Sequence, residues 1–310
     1  MTPIFFAYIS RSGSTIVAKH FGDYKDIAVT PELSIFRFVN KTITSYQMAS
    51  DFITILETDD RLASWNLNLV RIKQKLSILK YPIGFKDFHD LFIDEFLQNN
   101  KPKARFVINK TSVNGCYHRI KKLYPDAVFV FIVRDVRAII NSLLNTYDPY
   151  FKTSMIRDGN VFMLSFSFKR MINLTKKENK NIFLIKYEDF IADPDFSLKK
   201  VTETLGVRDT KTPSNFYKKN MSQMQQQLHK NLDKPLDYNR INAWEKELDK
   251  TYVYMFQKLT RSTLKELHYP IERVKIYELN RRIIFSEITN FIFKKKAGLG
   301  FGIKTALKKF

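Results

Sequence analysis

Short apolar runs alternate with helical patterns and polar turns along this chain. Four of the runs have the length and the aromatic or β-branched content of buried strands: Ile4–Ile9, Phe106–Ile108, Val128–Val133 and Ile182–Ile185. This alternation predicts an α/β fold in which an open, mostly parallel sheet is flanked by crossover helices. Ligands of such sheets bind beyond the carboxyl ends of the strands, so the residues that follow each run are the first candidates for a site.

Two segments depart from the alternation. Residues from about 40 to 105 have a mainly helical pattern and predict a helical insert. Residues 271–310 hold ten Lys or Arg against three Asp or Glu, a formal net charge of +7. Apolar residues recur there at helical spacing: Ile284, Ile288, Phe291 and Ile292. We expect a domain over residues 1–270 and a basic amphipathic extension over 271–310. The extension either contacts an anionic membrane through residues 276–310 or packs on the domain as a terminal helix with a solvated tail.

Composition narrows the class of protein. A chain of 310 residues suffices for one large domain or two small ones, and its apolar content supports a full core. Its single cysteine, Cys116, permits no intrachain disulfide and leaves a Cys/His zinc site short of ligands, so no metal is expected. No apolar run reaches the length of a membrane span, and no basic region precedes the first run. We expect a cytoplasmic protein, with any membrane contact peripheral and at the inner face.

The formal net charge of +21 implies anionic partners. It does not by itself distinguish nucleic acid, an acidic membrane and small anions. Nucleic acid is not expected, because the basic residues are spread along the chain without a known binding motif.

The first apolar run passes directly into a turn and a helix, in "PIFFAYISRSGSTIVAKHF". Unpaired N–H groups at a helix N-terminus favour anions, and Gly13 lets the backbone approach a ligand. Donors come from the guanidinium of Arg11 and the hydroxyls of Ser12, Ser14 and Thr15. The pattern favours a phosphate site over an ordinary serine-capped helix. It lacks the lysine of a nucleoside-triphosphate P-loop and the glycines of a dinucleotide fingerprint.

Two further strands end in charged residues. The run before Arg134-Asp135 continues into a helix that carries Ser142 eight residues after Arg134. Alternatively, Arg134 and Asp135 form a surface ion pair and Ser142 is an ordinary helix serine. The last strand ends at "KYEDFIADP", which includes Tyr187.

Together these motifs resemble the sulfotransferase family that uses 3′-phosphoadenosine 5′-phosphosulfate (PAPS). "SRSGST" is similar to the family's 5′-phosphosulfate loop, with Ser10 in place of proline, and "RDVRAIINSL" to its 3′-phosphate motif, with Val136 in place of proline. "KYEDFIADP" also matches, and the resemblance covers roughly residues 3–270. It looks closest to the bacterial and tyrosylprotein branches, given Arg11, "TPEL" and "KPLDYNRINAW".

The resemblance implies a P-loop-like fold, a helical insert on the acceptor side and in-line transfer of a sulfuryl group to a hydroxyl, with a glycan or lipid-linked glycan as the expected acceptor. It implies that Glu32 and Arg11 are catalytic, with Glu32 as the base. Lys110 is expected near the sulfonate. The residues implied to bind PAPS are Arg11, Ser12, Gly13, Ser14, Thr15, Arg134, Ser142, Tyr187 and Lys234.

Three alternatives stay open at this point. The family's K-x-H base is absent from "NKTSVNG", so His20 and His89 are the other candidates for the base. A nucleotide-dependent, kinase-like enzyme is disfavoured by the missing P-loop lysine. A basic protein that binds anions or membrane without catalysis would show steep salt dependence and no need for Arg11.

Overall fold

The computed structural model describes residues 2–148, 153–155, 160–176, 181–212, 226, 232 and 234–296. The strands are β1 Thr2–Tyr8, β2 Ile27–Val29, β3 Phe106–Asn109, β4 Val128–Val133, β5 Tyr147–Asp148, β6 Thr153–Ser154 and β7 Ile182–Lys186. The helices are α1 Ser14–Gly22, α2 Tyr46–Glu57, α3 Leu69–Ser77, α4 Phe85–Asn100, α5 Tyr117–Leu123, α6 Val136–Leu144, α7 Val161–Thr175, α8 Tyr187–Ala192, α9 Pro194–Leu205, α10 Trp244–Glu247, α11 Lys250–Glu266 and α12 Arg281–Lys296.

Five of the described strands form one parallel sheet in the order β2-β3-β1-β4-β7. The central strand is β1, which lies between β3 and β4, and its Ile4 is in register with both Ile108 and Val128. These runs form strands because their residues are apolar on both faces, as a sheet covered by helices on both sides requires. The predicted α/β fold with an open parallel sheet is confirmed.

Two cores lie on the two faces of the sheet because successive side chains of a strand point in opposite directions. Phe5 and Ala7 of β1 belong to the larger core, together with residues of α4, α6, α7 and α11. Ile4 and Phe6 belong to the smaller core, together with residues of α1, α8 and α9. The sheet is thereby fixed between layers of helices, and its carboxyl edge positions the loops that follow β1, β3, β4 and β7.

Residues between β2 and β3 are mainly helical, through α2, α3 and α4, and they contribute Trp65, Phe88 and Phe96 to the larger core. The domain boundary at residue 270 stays a prediction. In the segment after it, α12 packs on α7: Glu287 is buried and accepts hydrogen bonds from Asn160 Nδ2 at 2.6 Å and from the Val161 amide at 2.8 Å. The predicted basic residues at 304–310, and the glycines of "GLGFG", lie outside the described residues.

Candidate active site

The turn between β1 and α1 contains two residues in the left-handed region of backbone conformation. Arg11 and Gly13 both have left-handed backbone angles, with φ of 70° and 85°. Helix α1 begins at Ser14 with no side chain capping its first turn. The amide groups at the start of α1 therefore lack a side-chain acceptor, and the helix dipole makes this end attractive to an anion.

Two features require glycine at position 13: its left-handed backbone angle and the closeness of the Tyr187 ring. A Cβ atom at this position would lie 2.1 Å from Cδ2 of Tyr187, so the aromatic ring occupies the space of the missing side chain. Tyr187 begins α8, directly after β7. The Tyr187 ring thus places the motif that follows β7 against the turn that follows β1.

Arg134, which directly follows β4, also contacts the Tyr187 ring. Its guanidinium lies 4.5 Å from the centre of the Tyr187 ring, within cation–π range. It donates hydrogen bonds to the backbone oxygens of Arg11 at 3.2 Å and Arg240 at 2.9 Å. Two buried polar atoms, Nε of Arg134 itself and Oγ of Ser12, have no hydrogen-bond partner among the described residues. Buried donors of this kind are normally paired, so both are suited to a ligand.

The alternative ion pair between Arg134 and Asp135 is wrong. Asp135 instead binds the buried guanidinium of Arg137, with Nη2 and Oδ2 2.6 Å apart, and that guanidinium lies 3.9 Å from the Trp244 ring centre. The Asp135 amide also donates to Glu188 Oε1 at 3.0 Å. Arg137 satisfies the carboxylate of Asp135, so Arg134 has no acidic partner among the residues that the structure describes.

The side chain of Arg11 connects the turn after β1 with α6, the helix after β4. Its Nε atom donates to Oγ of Ser142 on α6 at 3.1 Å. Burial, together with the positive charges of Arg134 and Arg240, lowers the pKa of Arg11. Within the part of the chain that the structure describes, neither Arg11 nor Arg134 pairs with a carboxylate. Arg134 is buried and Arg11 is half-buried, so both need a counter-charge, and a bound anion would supply it.

Glu32 lies in a separate polar group at the same edge of the sheet. Its carboxylate pairs with buried Lys110, which follows β3, and accepts a 2.7 Å hydrogen bond from the hydroxyl of Tyr8, the last residue of β1. Arg61 approaches its second oxygen at 3.6 Å. Burial would raise the pKa of Glu32, but Lys110, Tyr8 and Arg61 outweigh burial and lower it to about 2. Glu32 is therefore ionised at neutral pH, and it is a weak proton acceptor while Lys110 stays beside it.

The two histidines have different surroundings. His89 is buried, and both ring nitrogens are already engaged, Nδ1 with the Tyr124 hydroxyl at 2.8 Å and Nε2 with Asn109 Nδ2 at 2.7 Å. His20 lies at the far end of α1 with its ring edge against Phe190, and burial lowers its pKa. Neither arrangement offers a ring nitrogen at the turn before α1.

The remaining predicted residues divide into two groups. Ser14 and Thr15 are buried in the first turn of α1, next to the turn. Lys234 is exposed, and its contact with a nucleotide stays a prediction. Arg240, by contrast, was not selected from the sequence, although it lies within the quoted "KPLDYNRINAW". Its carbonyl holds Arg134, and its charge acts on Arg11.

A protein-family model described as "Sulfotransferase family" matches residues 3–211, more than half of the chain. The chain belongs to the sulfotransferase family. This assignment confirms the resemblance found in the sequence, and the family's activity is the transfer of a sulfuryl group. A search of curated proteins finds no match for this sulfotransferase.

Solved structures show the same fold. The "Sulfotransferase Domain from the Synechococcus PCC 7002 Olefin Synthase" is 17% identical to this sulfotransferase, with a TM-score of 0.57 over 87% of this chain and 96% of that chain. The "Sulfotransferase Domain from the Curacin Biosynthetic Pathway" is 14% identical, with a TM-score of 0.57 over 87% and 99%. At these identities the likeness concerns the fold. Among the described residues no helix is long and apolar enough to cross a membrane, and no group of three or more His, Cys, Asp or Glu side chains could hold a metal ion.

Proposed function

We propose that this sulfotransferase moves a sulfuryl group from PAPS to a hydroxyl acceptor by in-line displacement. One observation carries the proposal: beside the N-terminus of α1, Arg134 donates to the Arg11 carbonyl and Arg11 donates to Ser142. Among the described residues neither guanidinium pairs with a carboxylate, and two buried polar atoms, Nε of Arg134 and Oγ of Ser12, have no hydrogen-bond partner. A ligand with two separate phosphate groups supplies the negative charge that this arrangement lacks. The residues present therefore fit PAPS.

The chain's own residues divide between two tasks. Arg11, Ser12 and the amides of the turn would bind the 5′-phosphosulfate, and Arg11 would neutralise the charge that develops on the leaving phosphate. Arg134 and Ser142 would bind the 3′-phosphate and fix the position of the donor. Catalysis would then come from position and electrostatic stabilisation, as in phosphoryl transfer.

Glu32 is proposed to accept the proton of the acceptor hydroxyl. The support is its place at the carboxyl edge of the sheet, through its contacts with Tyr8 and Lys110. For Glu32 to act as a base, Lys110 must turn from the carboxylate toward the sulfonate, which would raise the pKa of Glu32 at the moment when the proton is transferred.

The acceptor is proposed to be a glycan or a lipid-linked glycan, and the protein to work in the cytoplasm. The segment before β3 borders the proposed base: Arg61 contacts Glu32, and Asp59 Oδ2 accepts a 3.0 Å hydrogen bond from the Ser34 amide. This segment is where a hydroxyl acceptor would approach. Incubation of the enzyme with radiolabelled PAPS and separated glycan and lipid fractions tests the acceptor class, and label confined to protein would contradict it.

The donor is tested by calorimetric titration of the full chain with three nucleotides. 3′-Phosphoadenosine 5′-phosphate (PAP) should bind tightly, and adenosine 5′-phosphate, which lacks the 3′-phosphate, at least about tenfold more weakly. ATP with Mg²⁺ tests the kinase-like alternative. Equal affinity for the three nucleotides, or no binding of PAP, would contradict the proposal.

A further inference from the structure

Helix α12 has two apolar faces, and the domain covers one of them. Phe291 packs against Phe162 of α7 with ring centres 5.1 Å apart, and Ile284 lies against the larger core. The buried carboxylate of Glu287 binds the first turn of α7, and the Asn280 amide donates to Thr251 Oγ1 at 2.7 Å. These contacts fix the rotation of α12 about its axis, and with it the side that faces solvent.

The solvent side carries a stripe of large apolar side chains. Phe285, Ile288 and Ile292 are 70%, 40% and 46% exposed. Positions three, four and seven residues apart lie within about 60° on a helix of 3.6 residues per turn, so the three side chains point in one direction. This row is called the apolar stripe below. A polar helix surface would serve a solvated terminal helix better than such a stripe.

The approach to α12 is apolar and exposed as well. Ile276 and Tyr277, in the short helical turn before α12, are 83% and 80% exposed. Five large apolar side chains thus stand in solvent within a segment of seventeen residues. This clustering differs from the isolated exposed residues found elsewhere on soluble proteins.

Cations accompany these side chains. Arg273, Lys275, Arg281 and Arg282 are exposed, and Lys275 lies 5.5 Å from the Tyr277 ring centre. Arg281 is four residues before Phe285, so it lies at the end of the apolar stripe. The sequence adds three consecutive lysines at 294–296, where the helix ends.

Apolar side chains bordered by basic ones complement the interface of an anionic bilayer, where hydrocarbon lies beneath negatively charged headgroups. We infer that the apolar stripe and its flanking arginines bind the surface of an anionic phospholipid membrane. The helix lies parallel to the surface, with Phe285, Ile288 and Ile292 inserted at the boundary between headgroups and acyl chains. The stripe would also fit an apolar surface of a protein partner, but the exposed arginines Arg281 and Arg282 beside it favour a surface of repeated negative charge.

The inference does not depend on sulfuryl transfer, so its test is independent of the proposed function. The full chain is sedimented with vesicles of phosphatidylcholine alone and with vesicles in which about a third of the lipid is phosphatidylglycerol. We expect binding to the anionic vesicles at least about tenfold stronger than to the neutral ones, and weaker at high salt. Absence of binding, or equal binding to both, would overturn the inference.

Variants assign the binding to this surface. The triple variant Phe285→Ser/Ile288→Ser/Ile292→Ser should lose at least about tenfold in vesicle affinity, and Arg281→Gln/Arg282→Gln should lose most of the preference for anionic lipid. The matched control is Val70→Ser/Ile78→Ser, which removes two exposed apolar side chains elsewhere and should bind vesicles as the wild type does.

Light scattering separates the membrane from a second copy of the chain. A wild-type dimer that the triple variant dissociates, without any vesicle binding, would overturn the inference in favour of a protein interface. Unchanged circular dichroism of the triple variant shows that its loss of affinity is not caused by unfolding.

Discussion

Arg11 donates a hydrogen bond from Nε to Oγ of Ser142 at 3.1 Å, although 131 residues separate them in the sequence. The bond connects the turn after β1 with α6, the helix after β4, and so brings together the two motifs proposed to bind the phosphates of the donor. It also holds a half-buried guanidinium with a neutral partner, which leaves the charge of Arg11 available to a ligand.

Ser142→Ala is the first variant that this contact suggests. Removal of the hydroxyl frees Arg11 from α6 and removes one donor from the site, so the affinity for PAP should fall by roughly threefold to tenfold. Titration of the variant with PAP measures the change. Ser77→Ala, on the exposed end of α3, is the control and should match the wild type, and an unchanged affinity in Ser142→Ala would show that Ser142 is an ordinary helix serine.

Gly13→Ala should destabilise the fold and weaken the site together. The new methyl group would overlap the Tyr187 ring, and the backbone angle of 85° is unfavourable for alanine. We expect a loss of about 1–3 kcal/mol in the free energy of unfolding. Chemical denaturation measures it, and Gly115→Ala is the matched control because no atom lies within 4 Å of the added carbon. Equal stability of the two variants would be inconsistent with the close contact.

Two variants of Tyr187 distinguish the role of its aromatic ring from that of its hydroxyl. Arg134 contacts the face of the ring at 4.5 Å, so Tyr187→Phe should keep the affinity for PAP. Tyr187→Leu removes the aromatic face and should weaken PAP binding by roughly threefold to thirtyfold. If the phenylalanine variant loses as much affinity as the leucine variant, the hydroxyl and not the cation–π contact carries the effect.

The pH dependence distinguishes the candidate bases. The pKa of Glu32 is held at about 2, so the carboxylate is ionised at all higher pH values. The stability from its pairing is fully present above the ordinary glutamate pKa of about 4.3 and is lost as the pH falls toward 2. With Glu32 as the base, kcat/KM should be flat from about pH 5 to 7. With a histidine base, kcat/KM would instead fall as the pH is lowered through this range, because the ordinary pKa of histidine is about 6.5. Burial lowers the pKa of His20, which would move this fall to lower pH within the range.

Two variants sharpen this measurement. Glu32→Gln should lower the rate of transfer by about 100-fold or more. Lys110→Met removes the charge that lowers the pKa of Glu32, so the acid limb of the profile should move to higher pH. Transfer from radiolabelled PAPS to water provides the assay, since it needs no knowledge of the acceptor. An acid limb that stays in place in Lys110→Met would exclude Glu32 as the base.

The sequence predicts the central strands well because β1 and β4 are apolar on both faces and bounded by turns. It does not predict β2, since the three residues Ile27–Val29 are too few to give a periodic signal. Arg11 and Arg134 could be identified because residues at the carboxyl ends of neighbouring parallel strands meet at one edge.

Contacts across long stretches of chain could not be predicted in the same way. The pairing of Asp135 with Arg137 depends on Trp244 and Gln257, which come from helices more than a hundred residues later. The contact of Arg134 with the Arg240 carbonyl depends on a segment without a regular pattern. Sequence periodicity carries no information about such pairs, so Arg240 was found only in the structure.

The central claim is that Arg134 recognises the 3′-phosphate of the donor, and its most direct test compares two ligands on two proteins. Wild type should bind PAP more tightly than adenosine 5′-phosphate. Arg134→Ala should lose about 100-fold in affinity for PAP and little for adenosine 5′-phosphate, so that the preference disappears. Arg71→Ala, an exposed arginine on α3, should keep the wild-type preference. A preference that persists in Arg134→Ala would contradict the account.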